Sequence, residues 1–160
     1  MQVTLAGIAE RKRHYAEAAD HMLTNATPSL RAAGGEEVIR TVYMAFGEPA
    51  KKPAAVKALK GLLHRVDADE IPIYMQVDAT LIFTKLDDLD AAFEFANQKF
   101  DLRAGAAGSA WASLWSPEMR PFRRDPRFQP FVARLRLMDY WQKFGPPDVC
   151  ELKAGKLSCH

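Results

Sequence analysis

An all-α fold is predicted from three observations on the sequence. Apolar residues recur at steps of three, four and seven positions in most segments, which is the periodicity of helices with one buried face. Prolines and glycines separate these segments, and no alternating strand pair or glycine-rich hairpin signal interrupts them. With 160 residues, 48% of them hydrophobic, the chain is long enough for one compact domain with its own core.

The first half of the chain contains three predicted helices. Residues 4–23 have one apolar stripe, and Thr27-Pro28 ends that helix because proline disfavours a helical residue before it. Residues 36–46 are predicted to form the next helix, with acidic side chains in the first turn, where the helix dipole favours negative charge. A third helix is predicted over residues 53–66, with a proline in its first turn.

Two further helices are predicted in the middle of the chain. Residues 73–85 are strongly apolar, and the length of the segment favours a helix over the alternative of a strand at residues 79–84. Asp87-Asp88 is predicted to cap the helix over residues 89–100, because aspartate side chains accept hydrogen bonds from the first free amides of a helix.

The helix pairs resemble one another in the spacing of small and large apolar residues. Ala58 and Leu62 recur 33 residues later as Ala91 and Phe95. A small residue followed by a large one four positions later is what the second helix of a tetratricopeptide-type hairpin presents to its neighbour. We therefore predict antiparallel helix pairs that stack as a short tetratricopeptide-like (TPR-like) solenoid over residues 1–108. An irregular helix bundle is the alternative.

Residues 109–160 are predicted to form an aromatic-rich C-terminal cap on the same domain. The last helix of a solenoid exposes an apolar face, which an atypical terminal segment commonly covers. Burying one large apolar side chain stabilises a protein by roughly 1.5–3 kcal/mol, so several of them would have a decisive effect on stability. The residues expected to supply this cover are Trp111, Trp115, Phe122, Phe128, Phe131, Leu135, Tyr140 and Trp141.

Three stretches of this segment stand out: residues 114–128, a Leu-x-Leu-x-x-Tyr-Trp stretch at 135–141, and a Pro-Asp-x-Cys stretch at 147–150 that is followed by Cys159. Together they resemble the C-terminal end of a group of bacterial regulators. In that group a tetratricopeptide-like array follows a winged-helix DNA-binding domain or an adenylate-cyclase-type catalytic domain. The resemblance implies that this chain is the helical-repeat end of a longer regulator whose effector domain lies elsewhere.

A non-catalytic interaction or regulatory module is the leading functional hypothesis. The first helix of each pair would line a concave face that binds a protein segment, a peptide or the attached effector domain. A small-molecule sensor with an enclosed pocket is the alternative, and homo-oligomer formation through the first helix is a third hypothesis. The predicted partner-binding residues are Arg40, Tyr43, Gln76, Thr80, Phe83 and Thr84.

The sequence predicts no catalytic, cofactor or metal site. It contains no Gly-x-Ser-x-Gly motif and no phosphate-binding glycine loop, so we do not expect an enzyme or a bound cofactor. His14 and His21 lie seven positions apart, whereas the two histidines of a metal-binding helix normally lie one turn apart.

Two interpretations remain for the arginines around Asp125. The forks of Arg123, Arg124 and Arg127 suit phosphate and carboxylate groups, which suggests anion binding. Asp125-Pro126 also resembles a helix cap, and the arginines would then pair with Asp125 or with carbonyls at helix ends. We favour the structural interpretation. Phosphate binding that Arg124→Ala abolishes would reverse it.

Charge and cysteine content bear on partners and compartment. The net charge of +2 is too small to predict direct binding to nucleic acid, and no run of eighteen apolar residues predicts a membrane span. Cys150 and Cys159 would remain thiols in the cytoplasm, which is the compartment we favour, and would form a disulfide in the periplasm.

Overall fold

A computed structural model describes residues 2–24, 26–65, 73–99 and 112–160, with side chains described from residue 4 and, in the third range, for residues 79–98. These residues are mostly helical and include one two-stranded sheet. The prediction of a mostly helical protein is therefore confirmed. The chain divides into two compact units, Met1–Pro72 and Ile73–His160.

In the first unit, the predicted helices over residues 36–46 and 53–66 correspond to the fourth and fifth observed helices. The second helix packs against the first and the fourth, and the fourth packs against the fifth. Buried alanines and branched side chains such as Ala18, Val42 and Leu62 form the core. The elements are α1 (Gln2–Arg11), α2 (Tyr15–Leu23), α3 (Pro28–Ala32), α4 (Gly35–Gly47), a 3-10 turn (Pro49–Lys51) and α5 (Lys52–Arg65).

The prediction of a single helix over residues 4–23 is wrong, because α1 and α2 are separate helices. Arg13 adopts a left-handed backbone conformation with φ of 62°. The Arg13 amide donates to the Glu10 carbonyl at 2.8 Å, and the His14 amide donates to the Ala9 carbonyl at 2.9 Å. This pair of bonds is a Schellman cap, which ends a helix. Glycine is the usual residue in this position, so an arginine there gives no visible stop signal.

In the second unit, residues 73–85 form a helix, so the strand alternative at residues 79–84 is wrong. The helix over residues 89–99 agrees with the prediction up to the last described residue. The elements are α6 (Ile73–Lys85), α7 (Leu89–Lys99), a 3-10 turn (Pro117–Met119), α8 (Arg120–Arg124), α9 (Phe128–Arg134), α10 (Leu137–Phe144), β1 (Cys150–Lys153) and β2 (Lys156–Cys159).

At the junction between α6 and α7, the two residues of the predicted cap have different roles. Asp87, with φ of 63°, takes the left-handed position that ends α6. The amides of Asp87 and Asp88 donate to the carbonyls of Thr84 and Phe83 at 3.1 and 3.0 Å. Oδ1 of Asp88 accepts a hydrogen bond from the Ala91 amide at 2.8 Å. Asp88 therefore caps α7, whereas Asp87 belongs to the end of α6.

The β-hairpin formed by β1 and β2 contradicts the prediction that no strand pair occurs. The strands are antiparallel, with Cys150 opposite Cys159 and Lys153 opposite Lys156. Ala154 and Gly155 form the turn and both have positive φ, 50° and 77°. Two positive φ values are typical of a type I′ turn, in which Asn-Gly is the common pair. Alanine at the first position and strands of only four residues left no clear hairpin signal.

The predicted boundary between residues 108 and 109 lies outside the described residues, as do the glycine-rich stretch around it and Trp111. The structure groups α6 and α7 with the C-terminal segment in one unit. The rings of Phe93 in α7 and Phe122 in α8 stack with centroids 4.0 Å apart, so the two parts share one core.

Candidate functional site

Most of the predicted partner-binding side chains are buried. Thr80, Phe83 and Thr84 are only 1%, 2% and 2% exposed, and Tyr43 is also buried. Arg40 is exposed and pairs with Asp20 through a contact of 2.7 Å. Gln76 lies in α6, and its side chain is outside the described residues. The described members of this set therefore form no continuous surface within their units. Arg40, the exposed residue of the set, already pairs with the carboxylate of Asp20.

The aromatic side chains of the C-terminal segment form a continuous cluster in the second unit. Phe122 lies at its centre, stacked on Phe93 and edge-on to Phe128 and Phe131 with centroids 5.9 and 5.6 Å away. Trp115 extends the cluster by contacting Phe128 and the ring of Trp141. Of the residues predicted to provide cover, Phe122, Phe128, Phe131, Leu135 and Trp141 are buried.

One aromatic pair remains on the surface. Tyr140 and Phe144 are 57% and 63% exposed, although their ring centroids are only 4.7 Å apart. Met138 and Trp141, which lie on the same helix, are buried. We call Tyr140 and Phe144 the α10 aromatic pair. The buried residues already attach α10 to the core, so the packing of the helix does not need the rings of Tyr140 and Phe144. The two rings leave apolar area in contact with solvent.

Arg123 is a buried guanidinium without a carboxylate partner among the described residues. It is 4% exposed. Nη1 donates to the carbonyls of Leu114 and Ser116, both at 2.7 Å, and Nη2 donates to the His160 carbonyl at 3.3 Å. Nε is buried and makes no hydrogen bond. Burial lowers the pKa of Arg123, and the neighbouring Arg120 charge lowers that pKa further.

Asp125 and Arg127 form a closed ion pair beside Arg123. Oδ1 of Asp125 accepts hydrogen bonds from the Arg127 amide and Nε at 2.9 and 2.8 Å, and Oδ2 accepts one from Nη2 at 2.8 Å. These bonds lower the pKa of Asp125 and raise the pKa of Arg127, which also contacts Asp90 at 2.6 Å. The structure thus places Arg123 and Arg127 in structural contacts. Arg124 is exposed and makes no such contact in the described part of the chain.

A cleft of about 540 Å³ lies between the α8–α9 region and the hairpin. We call it the hairpin cleft. Gln129 holds the hairpin beside it, since its Nε2 donates to the Gly155 carbonyl at 3.1 Å and its Oε1 accepts from the Leu157 amide at 3.2 Å. The residues that line the cleft are Arg123, Arg124, Asp125, Pro126, Phe128, Gln129, Lys156, Leu157, Ser158, Cys159 and His160.

Cys150 and Cys159 are bonded to each other in the structure, with an S–S distance of 2.07 Å. Both are buried, and they face each other across the hairpin register. The bond closes the open end of a short hairpin that has only two strands. An isolated two-stranded hairpin is marginally stable in water, so the bridge and Gln129 together fix the wall of the cleft.

Removing this bridge is expected to lower the free energy of unfolding of the second unit by about 2–3 kcal/mol in the chain-entropy model. Denaturant unfolding with and without a reductant measures the difference, after intact mass under non-reducing conditions has established the bridge. The Cys150→Ser/Cys159→Ser double variant is the control, because a reductant should not change its unfolding midpoint. Equal midpoints for the oxidised and reduced protein would contradict the prediction.

His14 and His21 both lie beside Glu17. The distances are 3.1 Å from His14 Nδ1 to Oε2 and 3.7 Å from His21 Nε2 to Oε1. Among the residues that the structure describes, no group of three or more histidine, cysteine or acidic side chains is arranged to hold a metal ion. The carboxylate lies between the two histidines, so the three side chains form a polar cluster along one helix.

The residues of the hairpin cleft were only partly found from the sequence. Arg123, Arg124 and Asp125 were singled out for their charge, whereas Gln129, Lys156 and His160 were not. The signal that could have found them is the Lys-Ala-Gly-Lys sequence at residues 153–156, read as a turn that folds the following strand back.

Comparisons with protein-family models, with curated proteins and with solved structures found no match for the chain. The class that the fold and the site define is a mostly helical protein with a disulfide-closed hairpin. Among the helices described, none is long and apolar enough to cross a membrane.

Proposed function

We propose that the chain is a non-catalytic interaction and regulatory module, and that its second unit binds a protein segment through the α10 aromatic pair. The exposure of Tyr140 and Phe144, 57% and 63%, is the observation on which this proposal rests. Tyrosine and phenylalanine are enriched in protein interfaces, because their rings bury a large apolar area at a low cost in side-chain entropy.

The charges around the α10 aromatic pair favour an acidic partner segment. Nζ of Lys143 lies 5.1 Å from the centroid of the Phe144 ring. Arg136 is exposed at the start of α10, and its contact with Asp139 is long, at 3.9 Å. A segment with one apolar anchor and flanking carboxylates would contact the rings and these cations together. The charges would contribute chiefly to orientation and association rate.

The regulatory part of the proposal comes from the resemblance of residues 114–128 to the C-terminal end of bacterial regulators. In that setting the bound segment belongs to an attached effector domain or to a separate protein. The predicted TPR-like stack is compatible with the packing of α4 on α5 and of α6 on α7, since consecutive helices pair in such repeats. Docking without chemistry is the mechanism we propose, so the chain itself is not an enzyme.

The test is selection of peptides from a displayed library, followed by titration of the selected peptides. We expect acidic peptides with an apolar anchor, and we expect Tyr140→Ala/Phe144→Ala to weaken their binding at least ~10-fold, about 1.4 kcal/mol. Both side chains are exposed, so the melting temperature should change little. The matched control is Gln142→Ala on the same helix. Equal affinity of the selected peptides for the double variant and the unaltered chain would refute the proposal.

A small-molecule sensor is the second candidate function, and one observation favours it. The hairpin cleft has a volume of about 540 Å³, within the range of roughly 300–1,000 Å³ that small-molecule sites occupy. Several polar groups converge on it. A sensor and a docking module do not exclude each other in one regulatory chain, and the two sites involve different residues.

A further inference from the structure

We propose that the hairpin cleft binds a small organic phosphate, with the phosphate group held by Arg123, Arg124 and Lys156. The proposal does not depend on the α10 aromatic pair, whose residues do not line the cleft. It assigns a ligand to a group of side chains that the protein-binding function leaves without a role.

The first step is the balance of charge in the cleft. Three basic side chains line it, Arg123, Arg124 and Lys156, and Asp125 has the one carboxylate side chain among the lining residues. Both oxygens of Asp125 are already occupied by Arg127, which lies outside the lining. The negative charge of Asp125 is therefore directed away from the three cations, and the cleft has an excess of positive charge.

The second step is the state of Arg123. A buried charge is costly unless an opposite charge offsets it, and the groups that Arg123 contacts are three backbone oxygens, those of Leu114, Ser116 and the last residue, His160. A guanidinium has five N–H donors, and these three hydrogen bonds leave one Nη2 hydrogen and the buried Nε–H without an acceptor. Nε is closed off from solvent, so the second Nη2 hydrogen is the donor that Arg123 can offer to a phosphate oxygen. An anion in the cleft would offset the charge of this buried group.

The third step is the availability of the other two cations. Arg124 and Lys156 are exposed, and neither makes a hydrogen bond or an ion pair in the part of the chain that the structure describes. Arg124 lies at the end of α8 and Lys156 at the start of β2, so they approach the cleft from opposite walls. Two exposed cations on opposite walls can approach an anion without breaking a hydrogen bond or an ion pair.

The fourth step is the choice of a phosphate ester over a carboxylate. A phosphomonoester has a charge of about −1.5 to −2 at neutral pH and three acceptor oxygens, which matches three converging cations better than one carboxylate does. The cleft is also too large for a bare phosphate. Pro126 and Leu157 provide apolar wall for an organic body, and Ser158 lies in the lining as a hydroxyl partner.

The disulfide gives the site a fixed wall. Lys156 and His160 lie on the strand that ends at Cys159 or directly after it, and Cys159 is itself in the lining. The bridge and the two Gln129 hydrogen bonds set the distance between Lys156 and the α8–α9 side. Because a preorganised site loses less entropy on binding, the oxidised chain is the form expected to bind.

The experiment is calorimetric titration of the oxidised chain with a hexose monophosphate, a nucleoside 5′-monophosphate, inorganic phosphate and citrate at fixed ionic strength. We expect at least one ester to bind ~10-fold more tightly than inorganic phosphate or citrate. Arg124→Gln and Lys156→Gln should each weaken that ester about 10-fold, which corresponds to about 1.4 kcal/mol. Neither side chain makes a hydrogen bond or an ion pair among the described residues, so circular dichroism and melting temperature should remain unchanged.

Lys153→Gln is the matched control, since it removes one exposed cation of the hairpin that does not line the cleft and should change the affinity less than ~2-fold. The proposal is overturned if no ester binds below about 1 mM, if citrate binds as tightly as the esters, or if the Arg124→Gln/Lys156→Gln double variant retains full affinity. A negative result for phosphate binding would not affect the proposal that the α10 aromatic pair binds a peptide, because that proposal is tested with variants of Tyr140 and Phe144.

Discussion

Replacing Phe122 by alanine is expected to lower the free energy of unfolding of the second unit by about 3–5 kcal/mol. The side chain is 0% exposed, and its ring touches the rings of Phe93, Phe128 and Phe131. Truncation removes the ring from the centre of a four-ring cluster, so the transfer free energy is lost and a cavity remains. Its neighbours come from α7 and α9, so a single rotamer change cannot fill the space.

Tryptophan fluorescence during denaturant unfolding measures this effect selectively. All three tryptophans, Trp111, Trp115 and Trp141, belong to the second unit, so their signal reports its unfolding. Tyr140→Ala is the control, because a side chain that is 57% exposed should cost no more than ~0.5 kcal/mol. A loss below ~1 kcal/mol for Phe122→Ala would show that the ring cluster is not the core of this unit.

The helices were predictable from the sequence because apolar periodicity is a local signal. The stripes over residues 36–46 and 73–85 identified α4 and α6 within a few residues. The ends of helices were less predictable. Arg13 and Asp87 both stop a helix in the left-handed conformation, which glycine normally signals. A non-glycine residue at such a position is tolerated only because tertiary contacts fix the backbone, and those contacts are not visible in a local pattern.

The hairpin and its cleft were not predictable for a different reason. Each strand has four residues, too few for an alternating pattern to differ from chance. The contact that holds the hairpin joins Gln129 to residues 26 and 28 positions away, Gly155 and Leu157. A glutamine on an amphipathic helix has no feature that marks it as the partner of a distant backbone. The charged residues were recognised, but their common site depends on this long-range contact.

The predicted partner-binding face depended on the register of the predicted helix pairs. Thr80 and Thr84 were expected on a groove from that register, yet both are buried in α6. Oγ1 of Thr84 donates to the Thr80 carbonyl one turn earlier, at 2.8 Å, so the hydroxyl needs no solvent. Threonine can bond to its own helix in this way, and its methyl group then packs as an apolar side chain. Polarity alone therefore does not identify the exposed side of such a helix.

Replacing Trp141 by alanine is expected to cost about 3 kcal/mol or more, which is the second large effect. Trp141 is 5% exposed, and its ring meets the ring of Trp115 edge-on with centroids 5.9 Å apart. It anchors α10 on the cluster, and the α10 aromatic pair is exposed on the same helix. Loss of Trp141 should therefore reduce both the stability of the second unit and the binding of a partner segment.

Fluorescence of the two remaining tryptophans during thermal or denaturant unfolding measures the effect of Trp141→Ala. The informative comparison is with the Tyr140→Ala/Phe144→Ala variant, which should lose partner binding while keeping its stability. Unchanged thermal stability in Trp141→Ala would mean that other residues hold α10 in place. That outcome would contradict the covering role assigned to the C-terminal aromatic residues. A loss of stability in Trp141→Ala and a loss of binding alone in the double variant would assign structure to the buried tryptophan and recognition to the exposed pair of one eight-residue helix.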